Sequence, residues 1–209
     1  AVVFTSGSTG TPQPHAKTWA GLVGSVQAEA SGLGLLPAAP CAIVGTVPPQ
    51  HMYGFESTVL MAWSGGNAFS HARPFYPADI GQALAAVPAP RVLVSSPAHL
   101  RALLDAGLEL PEMSLVVSAT APLSSRIAQE IEAFCSAPLI EIYGSTETGL
   151  IATRRSTQTA EWQLLPGITL AVQGDGVYAC GGHVETLTAL SDVIEPVADG
   201  RFLLHGRMA

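Results

Sequence analysis

Charged residues are scarce in this chain, and the two signs are unequal. Only 12% of the 209 residues are Asp, Glu, Lys or Arg, whereas 48% are hydrophobic. Disordered chains rarely have so much apolar surface, and a chain of this length can bury a core. The 9 basic residues are outnumbered by 16 acidic ones, which gives a formal net charge of −7. Such a chain has no general attraction for nucleic acid or anionic membranes, so any phosphate must be held by local groups.

Cysteine and long apolar runs are also in short supply. The three cysteines lie far apart and show neither a close pair nor a zinc-type spacing with histidine. This pattern argues against a disulfide framework and suits a reducing compartment. We see no signal-peptide pattern and no apolar run of membrane-spanning length. We therefore expect a cytoplasmic protein without a membrane span and without a nucleic-acid partner.

Strands and helices are predicted to alternate in the first part of the chain. Apolar runs predict strands at 1–4, 41–47, 91–94, 115–118 and 139–143, and helical patterns cover 17–31, 55–63, 78–86, 96–106 and 124–135. This order predicts an α/β fold with a mostly parallel sheet and flanking helices. Later, short apolar runs separated by turns at 174–176 and 199–200 predict a small β-rich subdomain. The predicted domains are an α/β core over 1–150 and a β-rich subdomain over 151–209.

A loop rich in glycine and hydroxyl groups follows the first predicted strand. Its residues are Thr5, Ser6, Gly7, Ser8, Thr9 and Gly10. Glycines allow the backbone to approach a ligand closely, and hydroxyls donate to phosphate oxygens. Between a strand and a helix, such a loop makes an anion cradle. It matches neither the Gly-Lys-Ser/Thr loop of common NTPases nor the dinucleotide Gly-x-Gly-x-x-Gly, and a solvated surface loop is the alternative interpretation.

A second polar segment, Tyr143-Gly144-Ser145-Thr146-Glu147, lies at the end of a predicted strand. Ligands in open α/β sheets bind beyond the carboxyl ends of the strands. A carboxylate beside hydroxyls at such a position is a plausible Mg²⁺ ligand, because Mg²⁺ takes one or two carboxylates together with phosphate oxygens. The alternative is an ordinary turn with a solvated glutamate.

Together these segments resemble the adenylate-forming superfamily of acyl-CoA synthetases, peptide-synthetase adenylation domains and firefly-type luciferases. The loop reads TSGSTGTPQP and the second block reads YGSTE. Four weaker blocks follow the family's order: PQHMYGF at 49–55, SATAPL at 118–123, GDGV with a later Gly-Gly at 174–182, and Asp192 with Gly206-Arg207. Six ordered blocks over nearly the whole chain are far more specific than either main block alone. The resemblance implies a piece of the large N-terminal domain of that fold, ending at the hinge to a C-terminal lid.

The resemblance assigns a role to each matching residue. The loop residues 5–10 would wrap the ATP β- and γ-phosphates, Thr146 would contact the α-phosphate, and Glu147 would bind Mg²⁺. His51 would lie near the reacting carboxylate. The adenine and acyl pocket would be lined by Ala119, Thr120, Ala121, Tyr143 and Gly144. Asp192 would accept hydrogen bonds from the ribose, with Arg207 beside it. The implied cofactors are ATP or AMP and Mg²⁺, with coenzyme A or a phosphopantetheine arm as thiol.

The chain departs from the family pattern at several positions. Gln13 and Pro14 stand where the family usually has Lys and Gly, and Ala119 replaces a family Gly. We hypothesise that Lys17 compensates for the missing cation near the pyrophosphate. His51 has a loop histidine as its alternative, Asp192 a turn cap, and Arg207 a surface charge. We expect His15 and His183 to be structural or solvated.

The implied reaction is ATP-dependent activation of a small carboxylic acid as its acyl-AMP, followed by thioester formation on coenzyme A or an acyl carrier protein. Two alternatives remain open: a homologue that binds nucleotide without turnover, and a scaffold domain that keeps only the fold. The family's lid carries a catalytic lysine, and no such segment is present in these 209 residues. We therefore expect weak or no adenylation by this chain alone.

Overall fold

The computed structural model describes residues 1–4, 14–35 and 39–207, with only the backbone of Arg207. Its strands are β1 Val2–Phe4, β2 Pro14–Ala16, β3 Ala42–Gly45, β4 Ala68–Phe69, β5 Arg91–Ser95, β6 Leu115–Ser118, β7 Leu139–Ser145, β8 Gly149–Arg154, β9 Trp162–Leu164, β10 Thr169–Gln173, β11 Gly176–Gly181, β12 Val184–Ala189, β13 Asp192–Val197 and β14 Arg201–Arg207. Its helices are α1 Trp19–Gly32, α2 Met52–Gly54, α3 Met61–Gly65, α4 Pro77–Ala85, α5 Pro97–Ala106 and α6 Ser125–Cys135, and a π-helical segment, Phe55–Leu60, joins α2 to α3.

A nine-stranded sheet forms the centre of the described structure, in the order β13-β14-β9-β8-β7-β6-β5-β3-β4. The five strands from β4 to β7 pair in parallel. The strands from β7 to β13 pair antiparallel. Strand β7 is therefore where the parallel half of the sheet meets the antiparallel half.

Alternate side chains of the parallel strands enter two different apolar cores. Val92 and Val94 of β5 join α1 and the π-helical segment in one core. Leu93, between them, joins α4, α5 and α6 in the other. This is the pattern expected for buried parallel strands covered by helices on both faces. It confirms the predicted α/β fold class with a largely parallel sheet and flanking helices.

The remaining described strands form two small sheets. Strands β10, β11 and β12 make a three-stranded antiparallel sheet whose first turn follows Gln173, as the Gly-Asp-Gly pattern predicts. Strands β1 and β2 form a two-stranded antiparallel ribbon. The chain after residue 150 is rich in β-strands, as predicted. Of these strands, only β10, β11 and β12 form a separate sheet, because β8, β9, β13 and β14 extend the large one. The division at residue 150 into two domains stays a prediction.

The helix predicted over 55–63 is longer than expected and irregular. It runs through α2, the π-helical segment and α3, so one wide turn lies in its middle. The Tyr53 hydroxyl donates to the Ser95 carbonyl oxygen at 2.9 Å and so ties α2 to the carboxyl end of β5. π-Helical turns often occur near functional sites. Here the wide turn directs Glu56 inward, where its side chain is 1% exposed.

No helix in the described part of the chain is both long enough and apolar enough to cross a membrane.

Candidate functional site

The acidic turn predicted from the YGSTE motif lies between β7 and β8. The Ser145 N–H donates to Thr148 Oγ1 at 3.1 Å, and the Thr148 N–H donates to Ser145 Oγ at 3.2 Å. These reciprocal bonds brace the turn and leave Thr146 half-buried and Glu147 exposed. A Cβ on Gly144 would lie 2.1 Å from the Gly149 carbonyl oxygen, so only glycine fits there. The turn thus presents a hydroxyl and a carboxylate from a rigid base.

The segment that follows the hydroxyl-rich loop contacts this turn. Residues 5–13, which include the predicted phosphate-binding residues Thr5 to Gly10, lie outside the described residues. Their flanks are described, because β1 and β2 pair and bring Phe4 opposite Pro14. Beyond β2, the Lys17 ammonium donates to the Glu147 carbonyl oxygen at 2.6 Å. His15 Nε2 lies 3.4 Å from Glu147 Oε1. The base of the loop and the acidic turn are therefore neighbours.

A cavity of about 180 Å³ opens beside this contact. Its walls come from β2, the start of α1, the helix that carries Met52 and Glu56, the 147–149 turn and residues 183–188. Among its described lining residues, Lys17 is the only lysine or arginine. The Thr18 hydroxyl donates to Glu185 Oε1 at 2.6 Å and closes one side. The cavity is polar and borders both the loop base and the acidic turn.

Buried acidic groups lie beneath the cavity. Burial raises the pKa of Glu56 to about 7, against the opposing effects of the Ser25 hydroxyl and the Lys17 charge. Burial also raises the pKa of Glu29 well above its ordinary value, and the nearby Glu56 charge adds to the rise. Burial lowers the pKa of Lys17, while three carboxylates around it oppose that change. Desolvation disfavours the charged form of each group.

Gly149 packs directly on this polar cluster. Its φ is +69°, and a Cβ there would lie 2.9 Å from Ser25 Oγ and 3.3 Å from Glu56 Oε1. The Glu56 Oε1 atom has no hydrogen-bond partner among the described residues. His183 Nε2 is 3.6 Å from the same Cβ position. The floor of the cavity and the acidic turn are thus packed against each other without space for a side chain at 149.

Tyr143 and Asp192, predicted to lie at the adenine and the ribose, are brought together. The Tyr143 hydroxyl donates to Asp192 Oδ2 at 2.7 Å. Arg207, the predicted neighbour of Asp192, pairs with it across β13 and β14 in backbone register. Three of the predicted residues therefore share one region, although they belong to three different strands. This grouping does not itself assign their contacts with nucleotide.

The other predicted residues occupy the carboxyl-end side of the sheet. Ala119, Thr120 and Ala121 follow β6 directly and are half-buried or exposed. Thr120 has a φ of +81°, a conformation that threonine rarely adopts. His51 is exposed at the start of α2, next to Met52, which lines the cavity. No described contact joins His51 to Thr146 or Glu147.

Several residues of the site were not identified by sequence reasoning. We expected His15 and His183 to be structural or solvated, yet His15 contacts the Glu147 carboxylate and His183 lines the cavity. Ser25 and Glu56 were not singled out. The available signal for Glu56 was a single carboxylate within the apolar helical run FESTVLMAW. His183 gave no local signal, because only the tertiary fold brings it to the cavity.

Comparisons with known proteins show the family to which the chain belongs. A family model described as AMP-binding enzyme matches residues 1–181. The chain belongs to the AMP-binding enzyme family. A relative in this family, 4-coumarate–CoA ligase from Rhodobacter capsulatus, is 32% identical over 208 residues, covering 100% of this chain and 52% of the relative. The chain thus spans about half the length of that curated relative.

Solved structures of AMP-binding proteins have the same fold. ATP-bound MatB from Rhodopseudomonas palustris gives a TM-score of 0.80 at 18% identity, covering 99% of this chain and 47% of that one. O-succinylbenzoate coenzyme A synthetase (MenE) from Bacillus subtilis, in complex with ATP and magnesium ion, gives 0.83 at 16% identity, covering 99% and 49%. At these identities the likeness shows the fold alone. It establishes that this chain has the architecture of the AMP-binding family.

Proposed function

We propose that the protein activates a small carboxylic acid with ATP, releases pyrophosphate and forms an acyl-AMP that reacts with a thiol. The observation that carries the proposal is the contact between the loop base and the acidic turn. The Lys17 ammonium lies 2.6 Å from the Glu147 carbonyl oxygen, and His15 lies 3.4 Å from its carboxylate. The segment directly after the hydroxyl-rich stretch of the sequence thus meets the acidic turn, and this combination of groups suits a metal–polyphosphate ligand.

The donor set suits magnesium held jointly with nucleotide. In the described part of the chain, no three His, Cys, Asp or Glu side chains converge as a closed metal cage. Mg²⁺ at nucleotide sites instead uses one or two carboxylates together with substrate phosphates. The exposed carboxylate of Glu147 fits that requirement, with Thr146 beside it on the same turn. When bound, Mg²⁺ would neutralise charge on the phosphate oxygens.

The proposed chemistry needs positioning more than a protein nucleophile. A carboxylate oxygen of the acid attacks the α-phosphorus, the bond to the bridging oxygen of the β-phosphate breaks, and pyrophosphate leaves. The loop 5–10 would hold the phosphate tail, Thr146 the α-phosphate, and Tyr143 with Asp192 the nucleoside end. His51 and residues 119–121 would border the acid. Such groups accelerate the reaction by alignment and by stabilising charge in the transition state.

The second half-reaction is proposed by analogy with relatives named as CoA ligases. A thiol attacks the acyl carbon, AMP leaves, and a thioester forms. Coenzyme A is the favoured acceptor because the 4-coumarate relative is named as a CoA ligase. A carrier-protein arm is the alternative acceptor. An aryl acid is the favoured substrate class on the same ground.

The test is acid-dependent ATP–pyrophosphate exchange by the full-length protein with a panel of aryl and aliphatic acids. We expect exchange with at least one acid, and a loss of at least about tenfold in Glu147→Gln, because a charge that holds the metal is removed. Glu130→Gln, at an exposed surface ion pair with Arg126, is the matched control and should retain exchange. Binding of ATP without exchange for any acid would favour a non-catalytic nucleotide-binding protein. Equal exchange by the wild type and Glu147→Gln would contradict the assigned role.

A further inference from the structure

Lys17 is the only lysine among the 209 residues, since the other eight basic residues are arginines. The structure places this single ammonium at the base of the loop 5–13 and on the wall of the cavity beside the acidic turn. Half-buried lysines lose hydration and need a partner in the folded state. The position of Lys17 is therefore unlike that of a solvated surface lysine.

Lys17 has a neutral hydrogen-bond acceptor, while the carboxylates of Glu56, Glu147 and Glu185 act on it through their charges. The Lys17 ammonium has three N–H donors, and among the described residues the Glu147 carbonyl oxygen accepts one of them. A backbone carbonyl orients the ammonium without neutralising its charge. The surrounding carboxylates favour the charged form of Lys17, so a charged ammonium faces any anion that enters the cavity beside the turn.

Five arginines of the described structure have side-chain partners away from the cavity. Arg154 pairs with Glu141, Arg155 with Glu132, and Arg201 with Glu161. Arg91 donates to carbonyl oxygens at the end of α4, and Arg126 pairs with Glu130 on the surface. None of these side chains lines the cavity. Lys17 is thus the described cation best placed to meet a phosphate group there.

We propose that Lys17 binds the pyrophosphate part of ATP directly, reaching the cleft from the segment after β2 rather than from the loop itself. The inference rests on the proposed function. It explains how the chain tolerates Gln13 within a loop that otherwise has hydroxyls and glycines but no cation. Lysine is well suited to this task because it offers a compact charge with three donors.

The first test uses the lone lysine and needs no substitution. An ATP analogue whose γ-phosphate carries an acyl group is added to the 209-residue chain. The Lys17 amine would attack the acyl carbon and form an amide, the bond to the γ-phosphate oxygen would break, ATP would leave, and a proton would pass to solvent. We expect peptide mapping to find the acyl group on Lys17, with labelling suppressed by excess ATP–Mg²⁺. ATP-insensitive labelling, or labelling of Ala1 instead, would overturn the inference.

The second test separates phosphate binding from support of the turn. Calorimetry with ATP–Mg²⁺, pyrophosphate–Mg²⁺ and AMP is run on the wild type, Lys17→Met and Lys17→Arg. We expect Lys17→Met to weaken ATP and pyrophosphate at least about tenfold, as for loss of a charge-assisted hydrogen bond, and AMP by less than about twofold. Lys17→Arg should recover part of the loss. Arg126→Ala is the control for the same change in net charge at the surface.

The outcomes of the second test are distinguishable. An equal loss for ATP and AMP means that Lys17 only supports the 147 turn, and the inference is then wrong. Unchanged ATP affinity in Lys17→Met overturns the inference but leaves the proposed function intact. A wild-type chain that binds none of the three ligands would overturn both.

Discussion

Thr120 holds a backbone conformation that costs free energy. Its φ of +81° lies in the region that favours glycine, and threonine is a β-branched residue for which this region is strained. Thr120 lies just after β6. Residues with strained backbone conformations cluster at active sites and ligand-binding segments of proteins.

We predict that Thr120→Gly raises the free energy of unfolding by about 1 kcal/mol, since relief of the strained φ exceeds the added chain entropy of glycine. Urea denaturation measures the change. The matched control is Thr186→Gly, at an exposed residue of β12 whose φ is not positive, and it should destabilise the protein. Destabilisation by Thr120→Gly as large as that of the control would show that the strain is absent.

At the scale of elements, the packing of α1 against the π-helical segment buries the carboxyl groups of Glu29 and Glu56 close together. The pKa of Glu56 is raised to about 7, from an ordinary value of 4.5, by burial. An acid with a raised folded-state pKa binds its proton more tightly in the folded state than in the unfolded state. Its contribution to stability is therefore present at low pH and is lost as pH rises from 4.5 to 7.

We predict that Glu56→Gln flattens this part of the stability profile. At pH 5 the variant and the wild type should be similar, and at pH 8 the variant should be more stable by up to roughly 3 kcal/mol. Denaturant unfolding between pH 5 and pH 8 measures the difference. Burial also raises the pKa of Glu29, so its contribution to stability likewise falls as pH rises. Burial lowers the pKa of His183, so its contribution to stability falls as pH is lowered. Parallel profiles for the wild type and Glu56→Gln would refute the prediction, and Glu130→Gln serves as the exposed control.

The elements also show which features are predictable from the sequence. Helix α5 was predicted well because Ser96-Pro97 marks its start and local periodicity fixes its extent. The π-helical turn at Phe55–Leu60 gave no such local signal. The pairing of β8 and β9 with the large sheet is likewise a long-range result. Apolar runs and turns are local properties, whereas sheet membership is decided by distant contacts.

The candidate site follows the same rule. The Tyr143-Gly144-Ser145-Thr146-Glu147 turn was identifiable because its chemistry lies in consecutive residues. The contacts of His15 and Lys17 with Glu147 join positions 130 or more residues apart. His183 reaches the cavity from the three-stranded sheet. Sequence motifs therefore located the acidic turn, and tertiary structure was needed to show which distant residues contact it.

At the scale of the whole molecule, the chain carries the proposed nucleotide site and spans about half of the curated relative. We predict that the 209 residues bind ATP–Mg²⁺ but show little acid-dependent pyrophosphate exchange, because the resemblance assigns a catalytic lysine to a lid outside them. Calorimetry measures the binding and exchange assays measure the turnover, with the full-length protein as the control. Robust exchange by the 209 residues would show that no lid is needed.

The hydrogen bond between Tyr143 and Asp192 has a mechanical consequence. In sheet order β13 is four positions from β7, roughly 19 Å away if the strands were flat, at about 4.8 Å per step. A 2.7 Å bond between side chains of these strands requires the antiparallel half to curl back over the middle of the sheet. Because β14 pairs with β13, a displacement of β14 would be passed through Asp192 to the side chain of Tyr143. A movement of the β13–β14 pair would therefore reach β7, the strand whose last residue, Ser145, begins the acidic turn.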